Sequence, residues 1–348
     1  MITARAIRKG LLVALVNLMI VVALLEGLFL LLFHSPRVVT ASPKAVQGLV
    51  QQMYRHFNRS LIQFEPACAQ YDPEVTYTLK PGICTFANEE FSTEVQVNRL
   101  GLRDTDAALV APEIVVLGDS HVMGWGVQQD ETLVRVLARK SGMKVLNAAI
   151  SSYATVREMK LLDRLDTSNL KVLIIQYADN DLPENRTFHQ QGGRLPISSE
   201  AQYQTIVEHY RAQQSYFPGK YTYRLFMKVL RLEAPEPDQL KMEVIPPAEE
   251  AGLFLYVLEH AGRTRLDNVQ VIVFEMNKQE PSRPFIAALD QERRRPEQPP
   301  YVQRLIAFDV GPRLAPGNFY VVDDHMNASG HKVVGEALAE LIRTRVNK

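Results

Sequence analysis

Ser120 stands in Gly118-Asp119-Ser120, directly after the apolar run Ile114–Leu117, and Asp323-Asp324-His325 stands about 200 residues later. A serine hydroxyl is a weak nucleophile until a base takes its proton, and an imidazole serves as that base when a carboxylate holds its tautomer. Serine, histidine and aspartate therefore make one proposal for acyl-ester chemistry, with Ser120 as nucleophile and His325 as base. Taken singly, each residue has a plainer reading. Gly-Asp-Ser is a common turn, Ser120 a helix cap, and His325 a histidine just upstream of a last helix capped by Asn327 or Ser329.

Such a serine must be held at a strand end. The sequence around Ser120 reads as a buried strand, a glycine-containing turn, then a helix over residues 128–140. That arrangement presents a side chain at the carboxyl edge of a parallel sheet. The rhythm continues. Apolar strands are predicted at 144–148, 171–177 and 269–274, with a short fifth at 319–322. Residues 155–165 have helical spacing, and 328–346 form a closing amphipathic helix. Alternating strands and helices with apolar strands predict an α/β fold, a three-layer sandwich around a central, mostly parallel sheet.

The 348 residues allow one large domain with appendages, and 46% hydrophobic residues suffice for a sizeable core. The net charge of zero gives no electrostatic footprint for nucleic acid. Residues 10–33 are apolar except for Asn17 and Glu26, long enough to cross a bilayer as a transmembrane helix. Arg5, Arg8 and Lys9 precede that stretch, so the N-terminus is expected inside and the rest of the chain outside. An uncleaved single-pass anchor is favoured over a signal peptide, because Ala41-Ser42-Pro43 makes a poor cleavage site. Glu26 is expected to lie toward one end of the span or to meet a partner helix.

The expected organisation is a cytoplasmic tip and anchor (1–34), a tether (35–62, helical over 44–57), a small β-rich lead-in (63–110) and a catalytic domain (111–348). A helical insertion at about 182–247, with helices near 200–212 and 221–232, interrupts the last. Arg186, His189, Tyr203, Tyr210 and Tyr216 in it are open to two readings, a carbohydrate site or a solvated cap. The loop 277–300 reads as a solvated excursion. Cys68 and Cys84 both lie in the lead-in, and a disulfide between them is expected if that part is extracytoplasmic.

On these blocks the chain resembles the SGNH (GDSL-type) hydrolase superfamily, in its membrane-anchored bacterial branch. Gly118-Asp119-Ser120 matches the first block. Asn147-Ala148-Ala149-Ile150-Ser151-Ser152 falls on the second, Ala178-Asp179-Asn180-Asp181 on the third, and Asp323-Asp324-His325 on the last. The lead-in, from Tyr77-Thr78-Leu79-Lys80-Pro81-Gly82 to Asn98-Arg99-Leu100-Gly101-Leu102-Arg103-Asp104, is similar as well. The resemblance implies a flavodoxin-like fold and an oxyanion hole made by the N–H groups of Ser120 and Ser152 and the Asn180 amide, with no metal or organic cofactor. Ser152 and Ala178 replace family glycines, and Val322 stands where the acid usually lies. The acid is then Asp323 or Asp324. An Asp-x-His spacing, as in the alginate-acetylation branch, favours Asp323 and leans toward acyl transfer. His121 and Trp125 beside the nucleophile either shape the pocket or fill space, and His331 is expected on the final helix.

The resulting expectation is a serine esterase of the bacterial inner membrane, acting on the periplasmic or extracellular side on acyl esters of a cell-surface glycan. An O-acyltransferase of polysaccharide export with the same triad and a non-catalytic glycan-binding protein on the same fold are the alternatives. The expected partners are the membrane and the acyl-ester or glycan substrate, with protein partners left open.

Overall fold

The computed structural model describes residues 4–230, 245–277 and 284–346. The ends of the predicted insertion helix and of the 277–300 loop that fall at 231–244 and 278–283 lie outside the described residues. Along the chain, α1 (Ala4–Phe33), α2 (Pro36–Ala41) and α3 (Lys44–Phe57) come first. Strands β1 (Ala69–Asp72), β2 (Thr76–Leu79), β3 (Gly82–Asn88) and β4 (Phe91–Val97) follow. Then come β5 (Ile114–Leu117), α4 (Ser120–Met123), α5 (Leu133–Ser141), β6 (Val145–Asn147), α6 (Thr155–Leu162) and β7 (Val172–Tyr177). Next are α7 (Asp181–Gln190), α8 (Glu200–Gln214), α9 (Lys220–Val229), α10 (Pro247–His260) and β8 (Gln270–Glu275). The chain closes with α11 (Phe285–Glu292), α12 (Pro300–Gln303), β9 (Ile306–Phe308) and α13 (Ala328–Arg345).

The chain divides into two units. One holds residues 60–210, 243–320 and 324–348. Its centre is a five-stranded sheet in the order β6-β5-β7-β8-β9, parallel throughout. Side chains alternate across the pleat, so each strand feeds two cores. Ile114, Val116, Val172, Ile174 and Ile272 pack on the face covered by α5 and α13. Val115, Leu117, Leu173, Ile175 and Val271 pack on the face covered by α6, α10 and α11. Helices on both faces explain why these strands carry apolar residues without alternation.

The fifth strand differs from expectation. It is Ile306–Phe308, not 319–322. The latter stretch makes a single antiparallel bridge, Phe319 with Met326, and the Tyr320 N–H donates to the His325 carbonyl at 3.0 Å. Its backbone groups close a local loop around Asp323–His325 and are not given to the sheet. Helices α7 and α10 were not predicted. Pro183 in the first turn of α7 is tolerated, because the first N–H groups of a helix need no intrahelical partner.

The lead-in consists of two antiparallel pairs, β1 with β2 and β3 with β4. A disulfide joins Cys68 to Cys84, with Cα atoms 5.5 Å apart.

The second unit holds residues 1–59, 211–242 and 321–323. Its helix α1 contains Ile7–Phe33, long and apolar enough to cross a membrane. Phe33, Val50, Met53, Tyr54, Tyr221 and Val322 are buried together, which ties α1, α3 and α9. Glu26 meets a partner helix. Its carboxylate accepts from the Thr222 backbone N–H at 3.0 Å and the Thr222 hydroxyl at 3.1 Å, and from the Tyr221 N–H at 3.4 Å.

Candidate active site

Three loops leave the carboxyl ends of the adjacent strands β6, β5 and β7. In this strand order the chain moves outward to β6 and then back past β5 to β7, so the crevice for a ligand opens between β5 and β7. Ser120 follows β5 and Asn180 follows β7. The loop after β6 runs beside the turn after β5, since the Ile150 N–H donates to the Gly118 carbonyl at 3.1 Å.

Gly118 has φ +155°, and a Cβ there would come within 2.6 Å of Val122 and 2.8 Å of the Gln176 amide oxygen. The turn into Ser120 therefore requires glycine. Asp119 caps the short helix α4, its carboxylate accepting from the His121 N–H at 2.8 Å. The Asp119 N–H in turn donates to Gln176 Oε1 at 3.0 Å. Burial pushes the Asp119 carboxyl up to about 6, against the lowering effect of the His121 N–H.

Ser120 Oγ lies 2.7 Å from His325 Nε2, within hydrogen-bond reach across 205 residues of chain. His325 Nδ1 lies 3.4 Å from Asp324 Oδ1. Both Ser120 and His325 are buried, at 8% and 7% exposure. Trp125 lies face-on to the His325 ring at 4.5 Å, with 15° between the planes, and the His121 ring stands 4.8 Å from it. The Trp125 indole is itself buried against Phe86 and Phe91 of the lead-in. Asp323 belongs to the other unit, where it is fully buried and accepts a hydrogen bond from the Tyr54 hydroxyl at 2.8 Å.

His325 sits two residues before the cap of α13. Asn327 is that cap, its side chain accepting from the N–H groups of Ser329 and Gly330. His331 lies inside α13, fully buried. Its Nδ1 accepts from the Leu133 N–H at 3.2 Å, and burial pushes the imidazole down to about 3, so it is a neutral core histidine.

Ser152 has φ +59°, a left-handed conformation that glycine adopts without cost. The serine is held there by Gln63, whose amide donates to Ser152 Oγ at 2.9 Å. Tyr77 donates to the Ser151 carbonyl at 2.8 Å, and Tyr153 donates back to the Tyr77 carbonyl. Asn180 Nδ2 donates to the Tyr153 carbonyl at 3.4 Å, so the Asn180 amide lies beside the Ser152 loop. Asp181 anchors that loop from below, accepting from the Thr155 N–H, the Thr155 hydroxyl and the Ala178 N–H. Burial pushes the Asp181 carboxyl up to about 8.

Two supporting residues escaped the sequence reading. Arg103 is buried and donates to the carbonyls of Met123, Gly124 and Val127, which clamps the loop that carries Trp125. Asp104 beside it accepts from Arg135 at 2.6 Å and from the Asn147 N–H at 3.0 Å, tying α5 to the end of β6. Their signal was the Arg103-Asp104 pair closing the lead-in motif. A buried arginine satisfied by backbone carbonyls is invisible without coordinates. Gly101, at φ +78° with the Leu79 carbonyl 2.8 Å from a would-be Cβ, sets the turn that aims both residues inward.

Of the other residues singled out, Tyr203 donates to the Gln63 carbonyl at 2.7 Å and is buried, while Tyr216 is exposed in the other unit. Arg186 and His189 border a cavity of about 610 Å³ between α7 and α10, with Glu249 and Tyr256.

No family model matches the chain, and no curated protein matches it. Among solved structures it is similar to a protein assigned to the lipolytic G-D-S-L family from Desulfitobacterium hafniense DCB-2. That match is 12% identical, covers 66% of this chain and 98% of the other, and has a TM-score of 0.35. It is also similar to the salicylyl-acyltransferase SsfX3 from a tetracycline biosynthetic pathway, at 13% identity over 80% of this chain and 74% of the other, with a TM-score of 0.31.

Proposed function

We propose that this chain is an extracytoplasmic serine esterase, held in a bacterial inner membrane by α1, that cleaves acyl esters through an acyl-enzyme on Ser120. The observation that carries the reading is the 2.7 Å approach of Ser120 Oγ to His325 Nε2 at the carboxyl edge of a parallel sheet. The lead-in at 63–110 buttresses the site, and residues 111–348 carry the chemistry.

In the first half-reaction Ser120 Oγ bonds to the ester carbonyl carbon while its proton passes to His325 Nε2. The oxyanion is met by the N–H groups of Ser120 and Ser152 and by Asn180. An amide nitrogen has two donors, so the bond from Asn180 to Tyr153 leaves one for the oxyanion. Collapse of the tetrahedral adduct breaks the ester bond, and the leaving alcohol takes the proton from His325. In the second half-reaction His325 takes a proton from the acceptor hydroxyl as it attacks the acyl carbon, and collapse of that adduct breaks the bond to Ser120 Oγ, which takes the proton back from His325. Water as acceptor gives hydrolysis, and a glycan hydroxyl gives transfer.

Asp323 is assigned as the acid that orients the imidazole, with Asp324 the alternative. The 3.4 Å separation of Asp324 from Nδ1 is longer than the 2.7–2.9 Å typical of a charge-assisted hydrogen bond. The fully buried Asp323 has one oxygen fixed by Tyr54. An acyl ester of a cell-surface glycan is the assigned substrate class.

A fluorophosphonate probe tests the reading on the full chain in detergent. Labelling lost in both Ser120→Ala and His325→Ala supports it. No labelling of the folded parent rejects an activated serine and favours a glycan-binding protein. Given an acyl donor and a glycan acceptor, acylated glycan marks transfer and free acid alone marks hydrolysis.

A further inference from the structure

Helix α9 is inside out for a water-facing element. Its exposed residues are Tyr223, Phe226 and Val229, and with Leu230 just after it they are 47–70% exposed. Its cationic residues turn inward. Lys220 Nζ donates to the Phe57 carbonyl at 2.7 Å, the Arg224 guanidinium lies over the Phe57 ring at 4.6 Å, and Lys228 bonds to Gln52. A soluble surface helix has the opposite arrangement, with polar residues outward. Tyr216 and Phe217, just before α9, are exposed as well. Contiguous exposed apolar side chains of this size mark a binding surface.

What covers that surface follows from where α9 begins. Its first turn is bonded to Glu26, and Thr222 Oγ1 also reaches the Val22 carbonyl at 3.4 Å. Glu26 lies within the apolar segment Ile7–Phe33. Counting from Gly10, at 1.5 Å per residue, Glu26 stands about 24 Å along α1, inside the far edge of a hydrocarbon layer about 30 Å thick. The start of α9 is thus pinned at the level where a bilayer gives way to headgroups. Aromatic side chains concentrate at that depth. Apart from Asn17, the exposed side chains of α1 over residues 10–31 are apolar, so the outer face of α9 continues a lipid-facing surface.

We propose that α9 is a second membrane contact, a helix lying in the outer interface with Tyr223, Phe226, Val229 and Leu230 against lipid, docked to the anchor through Glu26. This rests on the reading of α1 as a membrane anchor. It makes the segment 216–230 part of the membrane-bound body.

The test uses the full chain, with its native disulfide, in nanodiscs of phosphatidylcholine and phosphatidylglycerol. A fluorophore sensitive to polarity is attached at single cysteines replacing Leu18, Phe226, Val229 or Glu208, the last exposed on α8. Lipids carrying a shallow nitroxide are expected to quench the labels at 226 and 229 at least two-fold more than the label at 208. A deep nitroxide is expected to quench the label at 18. Labels at 226 and 229 that behave like 208, while 18 is quenched, overturn the proposal and leave the anchor intact. Labels at 226 and 229 that are blue-shifted but not quenched mean that protein covers the face, which also overturns it. Loss of quenching at 18 overturns the anchor and this proposal together.

Discussion

The Trp125 indole lies face to face with the His325 imidazole, 4.5 Å apart and 15° from parallel. Trp125 is the single tryptophan of the chain, so its fluorescence reports on one site. The stack fixes the plane of the ring whose Nε2 faces Ser120, and an indole face favours a cation by about 0.5–2 kcal/mol. Emission of the wild type is expected to differ from that of His325→Gln, because the variant removes the imidazole stacked on the indole. In turnover, Trp125→Leu is expected to lower kcat by about ten-fold with KM nearly unchanged, and Trp125→Phe to restore most of it. An unaltered kcat in Trp125→Leu would reduce the indole to packing.

Tyr54 and Asp323 are 269 residues apart and joined by a 2.8 Å hydrogen bond. If Asp323 orients His325, Asp323→Asn should lower kcat by about 10³–10⁴-fold, as removal of a triad carboxylate does. Asp324→Asn should then cost far less. Tyr54→Phe removes one bond to a charged group, about 1.5–3 kcal/mol, and is expected to lower kcat roughly ten-fold or more. Steady-state kinetics on the three variants decide between the two acids.

The oxyanion assignment predicts about 10²–10³-fold loss of kcat in Asn180→Ala, with labelling by a fluorophosphonate slowed in parallel. Ser152→Gly relieves a left-handed serine but loses the Gln63 contact. The two effects oppose each other, so its melting temperature should move little. Its activity should be retained, because glycine keeps the N–H that the hole uses. A large loss in Ser152→Gly would point to the hydroxyl instead.

Glu158 on α6 is fully buried, and neither carboxylate oxygen has a hydrogen-bond partner among the described residues. Burial, reinforced by Asp181, Asp119 and Glu184 and opposed by Arg157, raises its folded pKa well above the ordinary 4.5. A raised carboxyl binds its proton more tightly folded than unfolded. Its contribution to stability is complete below about pH 4.5 and is lost as pH rises toward the folded value. Unfolding by denaturant should therefore show falling stability through neutral pH, shared with Asp181. Glu158→Gln should flatten that slope and be the more stable chain at pH 8. An unchanged slope would assign the fall to other groups.

Much of the framework was legible from local patterns. Runs such as Ile114–Leu117 are apolar because both sheet faces are covered, and the alternation of such runs with helical spacing specifies a parallel sheet. Ser120, Asn180 and His325 were legible as residues at predicted strand and helix ends, and the Cys68–Cys84 pair by the proximity of the two cysteines in the lead-in. The strand predicted at 319–322 was not there, since apolarity alone does not reveal that Tyr320 spends its N–H on His325.

Sequence by itself determined which groups could react and that an apolar segment could hold them at a membrane. Tertiary structure decided what stands against those groups. The 2.7 Å from Ser120 to His325, the Trp125 stack, the Arg103 clamp and the Tyr54 bond to Asp323 all join residues at least 20 positions apart. The inward turn of Lys220 and Lys228 was equally hidden. Periodicity shows that a helix has two faces, but only its packing partners decide which one meets solvent, protein or lipid.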